Sequence, residues 1–301
     1  MKQLRLTIGA LIVGSACMIG DGSLAFAADS GMKPTQQDVI DGAPVAKDLP
    51  DSPTIDRIRK DGFLIFGGDS STPLFSQLNP ATGKLEGFEA GLAYMFAKYV
   101  LGTPDIKVVA VNSANREALL QNGTVEFVAS GYAITEQRAK TVNFAGPYLM
   151  TGDGILVAKS NTTIHSVDDL NGKTVATNPG VGENNILAAA PKAKVIAFDT
   201  GTELIHAVIQ GRVDAMVLNV PTLLSAASKY KKQVKVVGDK PFTTLAMGFG
   251  LPKSDPALKS IVNDWLATIE KSGDYAKLWQ ATVGDLAPVP EAPKIGSVPG
   301  S

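Results

Sequence analysis

Residues 123–148 read GTVEFVASGYAITEQRAKTVNFAGPY. Thr124, Val125, Phe127 and Val128 are β-prone, so the first half reads as a buried strand. It empties into the small residues Ala129, Ser130 and Gly131, which let a ligand approach backbone N–H groups closely. Thr135 is placed to N-cap a helix with Arg138 at its third position. A cation is not favoured at the positive end of a helix dipole. An arginine held there gains most from an anion opposite it, because guanidinium pairs with carboxylate in bidentate geometry. Open α/β sheets bind ligands at such strand ends. Taken alone, the stretch is better explained as an ordinary βα turn with a surface arginine. The rest of the chain changes that balance.

The stretch resembles the solute-binding proteins of polar amino-acid ABC importers, family 3, glutamate/aspartate-like. Their pattern is GxVD, a small-residue turn, ITxER and then V-x-F-x-x-P-Y. Here GTVE stands at 123–126, ITEQR at 134–138 and VNFAGPY at 142–148. The resemblance continues through GKLEGF at 83–88, NGKTV at 171–175, GRVDA at 211–215 and GDYA at 273–276. It covers roughly residues 53–283. No single motif is strong, but their order and spacing are specific together.

Strands alternate with helices along the chain, which argues for an α/β class with mainly parallel sheets. The resemblance implies a two-lobed periplasmic-binding-protein clamshell with two chain crossings between lobes. Lobe 1 would take residues 53–150 and a return segment 246–284, and lobe 2 residues 151–245. The ligand would lie between them and be enclosed by hinge closure, with the glycines of TGDG at 151–154 suited to the hinge. The implied function is capture of a polar, acidic amino acid for an ABC permease in the inner membrane. It implies a monomer, no cofactor and no catalysis. A changed ligand (a dicarboxylate), a sensor role and a dehydratase-like enzyme are the alternatives.

A net charge of −1 over 301 residues gives no electrostatic footprint for nucleic acid. Residues 1–27 read as a signal peptide: Lys2 and Arg5, an apolar run over 6–19, and the A-x-A site Ala25-Phe26-Ala27. Cleavage there would start the mature chain at Ala28, in the periplasm. Cys17, the only cysteine, lies inside this leader. A lipidated Cys17 is the alternative, but the site lacks the usual leucine three residues earlier. Residues 28–52 read as a flexible lead-in and 285–301 as a Pro-rich tail without a core.

Several residues are candidates for the ligand site. The resemblance gives Arg138 to the ligand's α-carboxylate, with the N–H groups of Ser130 and Gly131 and with Ala133 nearby. The loop GGDSSTP at 67–73 offers Asp69 and hydroxyls. Thr72 falls nearest the family's aromatic lid position, with Phe75 close by. SANR at 113–116 resembles the run before a helix in glutamate/aspartate-type members, making Arg116 a candidate for a distal carboxylate; Ser113 or Asn115 as a helix cap is the alternative. In NPGVGENN at 178–185 the family's hydroxyls are missing, so Gly180, Val181 and Gly182 offer only backbone N–H. Asn219 stands where the family usually has an Asp that pairs with the ligand's ammonium. An amide supplies no countercharge, and charge-assisted bonds are about twice as strong as neutral ones. A zwitterion would therefore bind less well unless Asp69 compensates. His165 and His206 read as structural, Trp265 and Trp279 as core. No zinc spacing, nucleophile elbow or paired-carboxylate motif is visible.

Overall fold

The computed structural model describes residues 33–238, 240–284 and 286–301. The expected leader, Cys17 and the cleavage site after Ala27 lie outside the described residues.

The chain begins with α1 (Gln36–Gly42), α2 (Pro53–Asp61) and β1 (Leu64–Gly68). A small antiparallel ribbon follows: β2 (Ser71–Thr72), β3 (Ser76–Leu78) and β4 (Leu85–Glu86). Next come α3 (Phe88–Leu101), β5 (Ile106–Ala110), α4 (Arg116–Gln121), β6 (Phe127–Ala129), α5 (Glu136–Ala139) and β7 (Asn143–Thr151). Then come β8 (Asp153–Ala158), β9 (Thr174–Thr177), α6 (Val181–Ala189), β10 (Lys194–Ala197), α7 (Gly201–Ile209), β11 (Ala215–Asn219), α8 (Val220–Lys229) and β12 (Val234–Val237). The chain returns with β13 (Leu245–Leu251), α9 (Pro256–Lys271) and α10 (Asp274–Thr282).

The long strands form two five-stranded sheets, ordered β5-β1-β6-β13-β7 and β10-β9-β11-β8-β12. In each, one strand runs against the rest: β13 in the first and β8 in the second. These are the first strands the chain lays down after each crossing between sheets. The crossings touch. Asp153 N–H donates to Thr243 Oγ1 at 2.8 Å, and Phe242 N–H donates to Asp153 O at 2.9 Å. At Gly152 a Cβ would lie 1.9 Å from Thr243 O, so only glycine fits.

The first lobe's core is aromatic. Phe127 stacks on Phe96 at 5.0 Å between ring centroids and leans on Phe249 at 4.6 Å, with Trp265 against Phe249. Trp265 and Trp279 are both buried, as the sequence reading expected. The second lobe buries Leu156, Ala176, Leu204, Val208, Met216 and Leu223.

Two segments differ from expectation. The lead-in is not flexible throughout: α1 starts with a reciprocal Thr35–Asp38 capping box and buries Val39 and Ile40. Gln36 Oε1 also accepts from Gly87 N–H at 2.8 Å. Two buried positions in one short helix are too few to show as periodicity. The tail does meet a core: Ala287, Val289 and Ile295 pack on the first lobe, and Trp279 Nε1 donates to Ala287 O at 3.1 Å. An extended proline-rich segment buries side chains singly, without a pattern to read.

Asp255 ties two helices together. Its Oδ2 accepts from Ser52 Oγ at 2.6 Å and Thr54 N–H at 3.0 Å, and its Oδ1 caps α9 through Leu258 N–H at 3.1 Å. Burial alone would raise this carboxyl, but those donors together hold it below the ordinary aspartate value. A depressed folded-state pKa contributes stability above the unfolded value, and that contribution is lost as pH falls through the folded value. Asp255→Ala is expected to cost about 2–4 kcal/mol at neutral pH. Urea denaturation below the ordinary aspartate pKa should show mutant and wild type converging.

Candidate functional site

A cleft lies between the two sheets. Its wider part, about 460 Å³, is lined by Asp69, Thr72, Glu89, Ser130, Gly131 and Asn219 among others. A narrower part of about 70 Å³ shares Gly131 and Asn219 and adds Arg116, Arg138, Asp153 and Gly182. A larger hollow of about 1010 Å³ lies beside α1 and β4, and neither arginine lines it.

The first lobe contributes a cationic wall. Thr135 Oγ1 caps α5 by accepting from Arg138 N–H at 3.2 Å. The Arg138 guanidinium is then held by Glu117, at 3.2 Å from its Nε, and by Ala133 O, at 2.9 Å from Nη1. Arg116 donates from Nη1 to Ser130 O at 2.8 Å. The Tyr132 ring lies against both guanidiniums, 4.0 Å from Arg116 Cζ and 5.2 Å from Arg138 Cζ. Arg116 is only 3% exposed, its Nε has no partner, and no ion pair to it occurs among the described residues. Burial first, and then Arg138, pull its pKa down to about 10. A guanidinium carries five N–H donors, so both arginines keep donors to offer. Glu117 pairs with only one of these two cations, and a buried cation in no ion pair is costly.

Other expected donors are already engaged. Gly131 N–H, expected to face the ligand, donates to Glu89 Oε1 at 2.8 Å, and Tyr148 OH donates to the same oxygen at 2.5 Å. Glu89 is fully enclosed and burial pushes its carboxyl up, against those two bonds. Asp69 Oδ1 accepts from Ser71 N–H and Oγ, while its Oδ2 accepts from Thr72 Oγ1 at 2.5 Å. Asp69 and Thr72 thus line the cleft but satisfy one another within their loop. Phe75 borders the cleft with its ring set edge-on to Phe88 and Trp279 in the core.

The second lobe supplies the opposite wall. Val181 and Gly182, at the start of α6, line the narrow part; a Cβ at Gly182 would sit 2.4 Å from Thr177 Oγ1. Gly180 is not part of that lining, and its N–H donates to Glu183 Oε2 at 2.9 Å. Asn219 caps α8, its Oδ1 accepting from Thr222 N–H at 3.0 Å and Oγ1 at 2.9 Å. The acceptor expected for the ligand is therefore spent, and what Asn219 has left is the Nδ2 donor, which lies toward Gly131. Ser225 Oγ donates across the lobes to Pro73 O at 2.8 Å.

Glu89, Tyr132 and Asp153 were not singled out from sequence. Asp153 has a faint signal, an acid between two glycines at the start of an apolar strand. Glu89 has another, a lone carboxylate at the head of an apolar helix. Neither histidine lines the cleft. Among the described residues no group of acids, histidines or cysteines could hold a metal, and no helix is long and apolar enough to cross a membrane.

Comparisons with known proteins agree with this architecture. The chain is 31% identical to the glutamine-binding protein GlnH of Bacillus subtilis (strain 168), over 75% of this chain and 83% of that one. It is 30% identical to the glutamate-binding protein GluB of Corynebacterium glutamicum, over 65% and 72%. The ancestral amino acid-binding protein AncCDT-1, a precursor of cyclohexadienyl dehydratase, superposes with a TM-score of 0.69 at 35% identity, covering 76% of this chain and 99% of that one. The sequence profile of one family matches residues 64–284. With two α/β lobes and a charged cleft between them, the chain belongs to the bacterial extracellular solute-binding proteins, family 3.

Proposed function

We propose that the protein captures an acidic amino acid in the periplasm, as a monomer, and delivers it to an ABC permease by closing its lobes. The supporting observation is the pair of guanidiniums on Tyr132, one of them buried and in no ion pair among the described residues. Two cations suit a ligand with two carboxylates. Arg138 takes the α-carboxylate and Arg116 the distal one, with Nδ2 of Asn219 and the N–H groups of Val181 and Gly182 as further donors. GluB, a relative, is a glutamate-binding protein, which is consistent with this ligand. The leader is cleaved after Ala27, leaving a mature chain that starts at Ala28.

A thermal-shift screen of the mature protein against amino acids and C4–C6 dicarboxylates tests the ligand class. A ligand at 100 times its Kd should add about 2.7 kcal/mol of stability. No response to any acidic amino acid would rule the reading out.

Arg138→Ala should leave the fold intact and weaken glutamate binding by more than about 100-fold, because breaking a buried ion pair costs ~3–5 kcal/mol. Arg116→Gln separates the two carboxylates. It should weaken glutamate far more than glutamine, measured by calorimetry. It should also leave the ligand-free protein at least as heat-stable, since it removes an unpaired buried charge. Equal losses for glutamate and glutamine would mean that Arg116 does not read the distal group.

A further inference from the structure

The acids around the cleft are not equally free. Both oxygens of Asp69 are taken by Ser71 and Thr72, and Glu89 Oε1 is taken by Gly131 and Tyr148. Asn219 has spent its only acceptor on Thr222. Glu89 also keeps an oxygen, Oε2, that no hydrogen bond reaches, but it stands on the first lobe with the two arginines, and Asp199 lines the wider part from an exposed position. Asp153 alone of these acids lines the narrow part of the cleft with Arg116 and Arg138, and it is 3% exposed. Its Oδ2 accepts from Asn185 Nδ2 at 2.6 Å and Thr243 Oγ1 at 3.1 Å, both neutral donors. Among the described residues no cation pairs with it, and no hydrogen bond reaches its Oδ1. A buried carboxylate without a countercharge is expensive, and burial pushes this one's pKa up.

Its position is as telling as its isolation. Asp153 is the register partner of Asn219 on the neighbouring antiparallel strand. Directly opposed residues in such a pair lie close together. Asp153 can therefore reach the same part of the cleft as position 219, where the family's usual Asp is absent.

We propose that Asp153 is the partner of the ligand's α-ammonium, in place of position 219, and that it makes the site select amino acids over plain dicarboxylates. This assignment rests on the amino-acid reading above. It completes a one-to-one match: Arg138 and Arg116 face the two carboxylates and Asp153 the ammonium. Asn185 and Thr243 aim the carboxylate while leaving Oδ1 for the ligand. Because Thr243 belongs to the return crossing, the ammonium site is assembled from both crossings.

Calorimetric titration with glutamate and with its deaminated analogue, glutarate, tests this. Wild type should bind glutamate at least about 100-fold more tightly than glutarate. Asp153→Asn should lose most of that preference, with glutarate unchanged or improved. The exchange Asp153→Asn with Asn219→Asp should recover part of it. Circular dichroism checks that each variant folds. In wild type, the ¹³C resonance of the Asp153 carboxyl should shift with glutamate and not with glutarate, a readout that needs no variant. If glutamate binds wild type and Asp153→Asn equally, or if both ligands move that resonance alike, the Asp153 assignment is overturned and the amino-acid reading stands. If wild type binds glutarate as well as glutamate, or binds neither, the acidic-amino-acid reading falls and this assignment with it.

Discussion

The two crossings between the sheets are bonded to each other, and the cleft is built on that contact. Gly152 has no room for a side chain against Thr243 O, while Asp153 O accepts from Phe242 N–H and Asp153 N–H donates to Thr243 Oγ1. Val220 N–H also donates to Gly152 O, which joins the first crossing to the start of α8. Any change in the angle between lobes must be absorbed by φ and ψ rotation at these few residues. Asp153 sends its side chain to Thr243 as well, so one wall of the cleft and the hinge share a residue. A ligand that engages that carboxylate acts directly on the element that sets lobe orientation.

In the narrow part of the cleft the charges are divided by lobe. The cations Arg116 and Arg138 stand on the first, and Asp153 stands on the second. The direct bond between lobes at the cleft edge, Ser225 Oγ to Pro73 O, is neutral, and one such bond is worth about 0.5–1.5 kcal/mol net. That is too little to hold the two lobes together firmly without a ligand, if they close as proposed. A ligand shifts a conformational equilibrium only by its differential affinity for the two states. Groups on opposite walls meet one small molecule together only when the lobes are close, so separated charges concentrate that differential in the closed form.

What the sequence allowed depended on whether a residue had one task or two. Arg138 was legible because Thr135 fixes its helix position and a cation there needs a reason. α9, Pro256–Lys271, was legible from the spacing of Leu258, Ile261, Trp265 and Ile269 on one face, though not its capping Asp255. Asn219 was only half legible. Its place on the cleft wall agrees with the position the resemblance gave it, but its Oδ1 turned out to cap α8, which leaves a donor where an acceptor was expected. Glu89 was hidden because α3 is buried on almost every side, so an enclosed acid there resembles an ordinary first-turn glutamate. Gly131 then lost its free N–H to that unseen acid. The α1 segment and the tail were hidden because a few singly buried side chains make no period.

The pairing of Asn219 with Asp153 also bears on how an empty cleft behaves. Acids at both positions would repel, and one would be driven toward its neutral form. The strand pair therefore suits one acid, placed on either strand. Asn caps a helix about as well as Asp, so α8 loses little from the amide. The location of the acid still matters. At the head of α8 a carboxylate would be steadied by the helix dipole and by its cap bonds. On β8 it has only the neutral donors Asn185 and Thr243. An acid there is held less well by the protein and is less comfortable when alone. On the assignment of Asp153 to the ammonium, the empty cleft is correspondingly strained and the filled one gains more. On that assignment, and on the proposed closing of the lobes, moving the countercharge by one strand keeps the cleft's net charge and the cap of α8 while tying closure more tightly to the presence of a cationic group on the ligand.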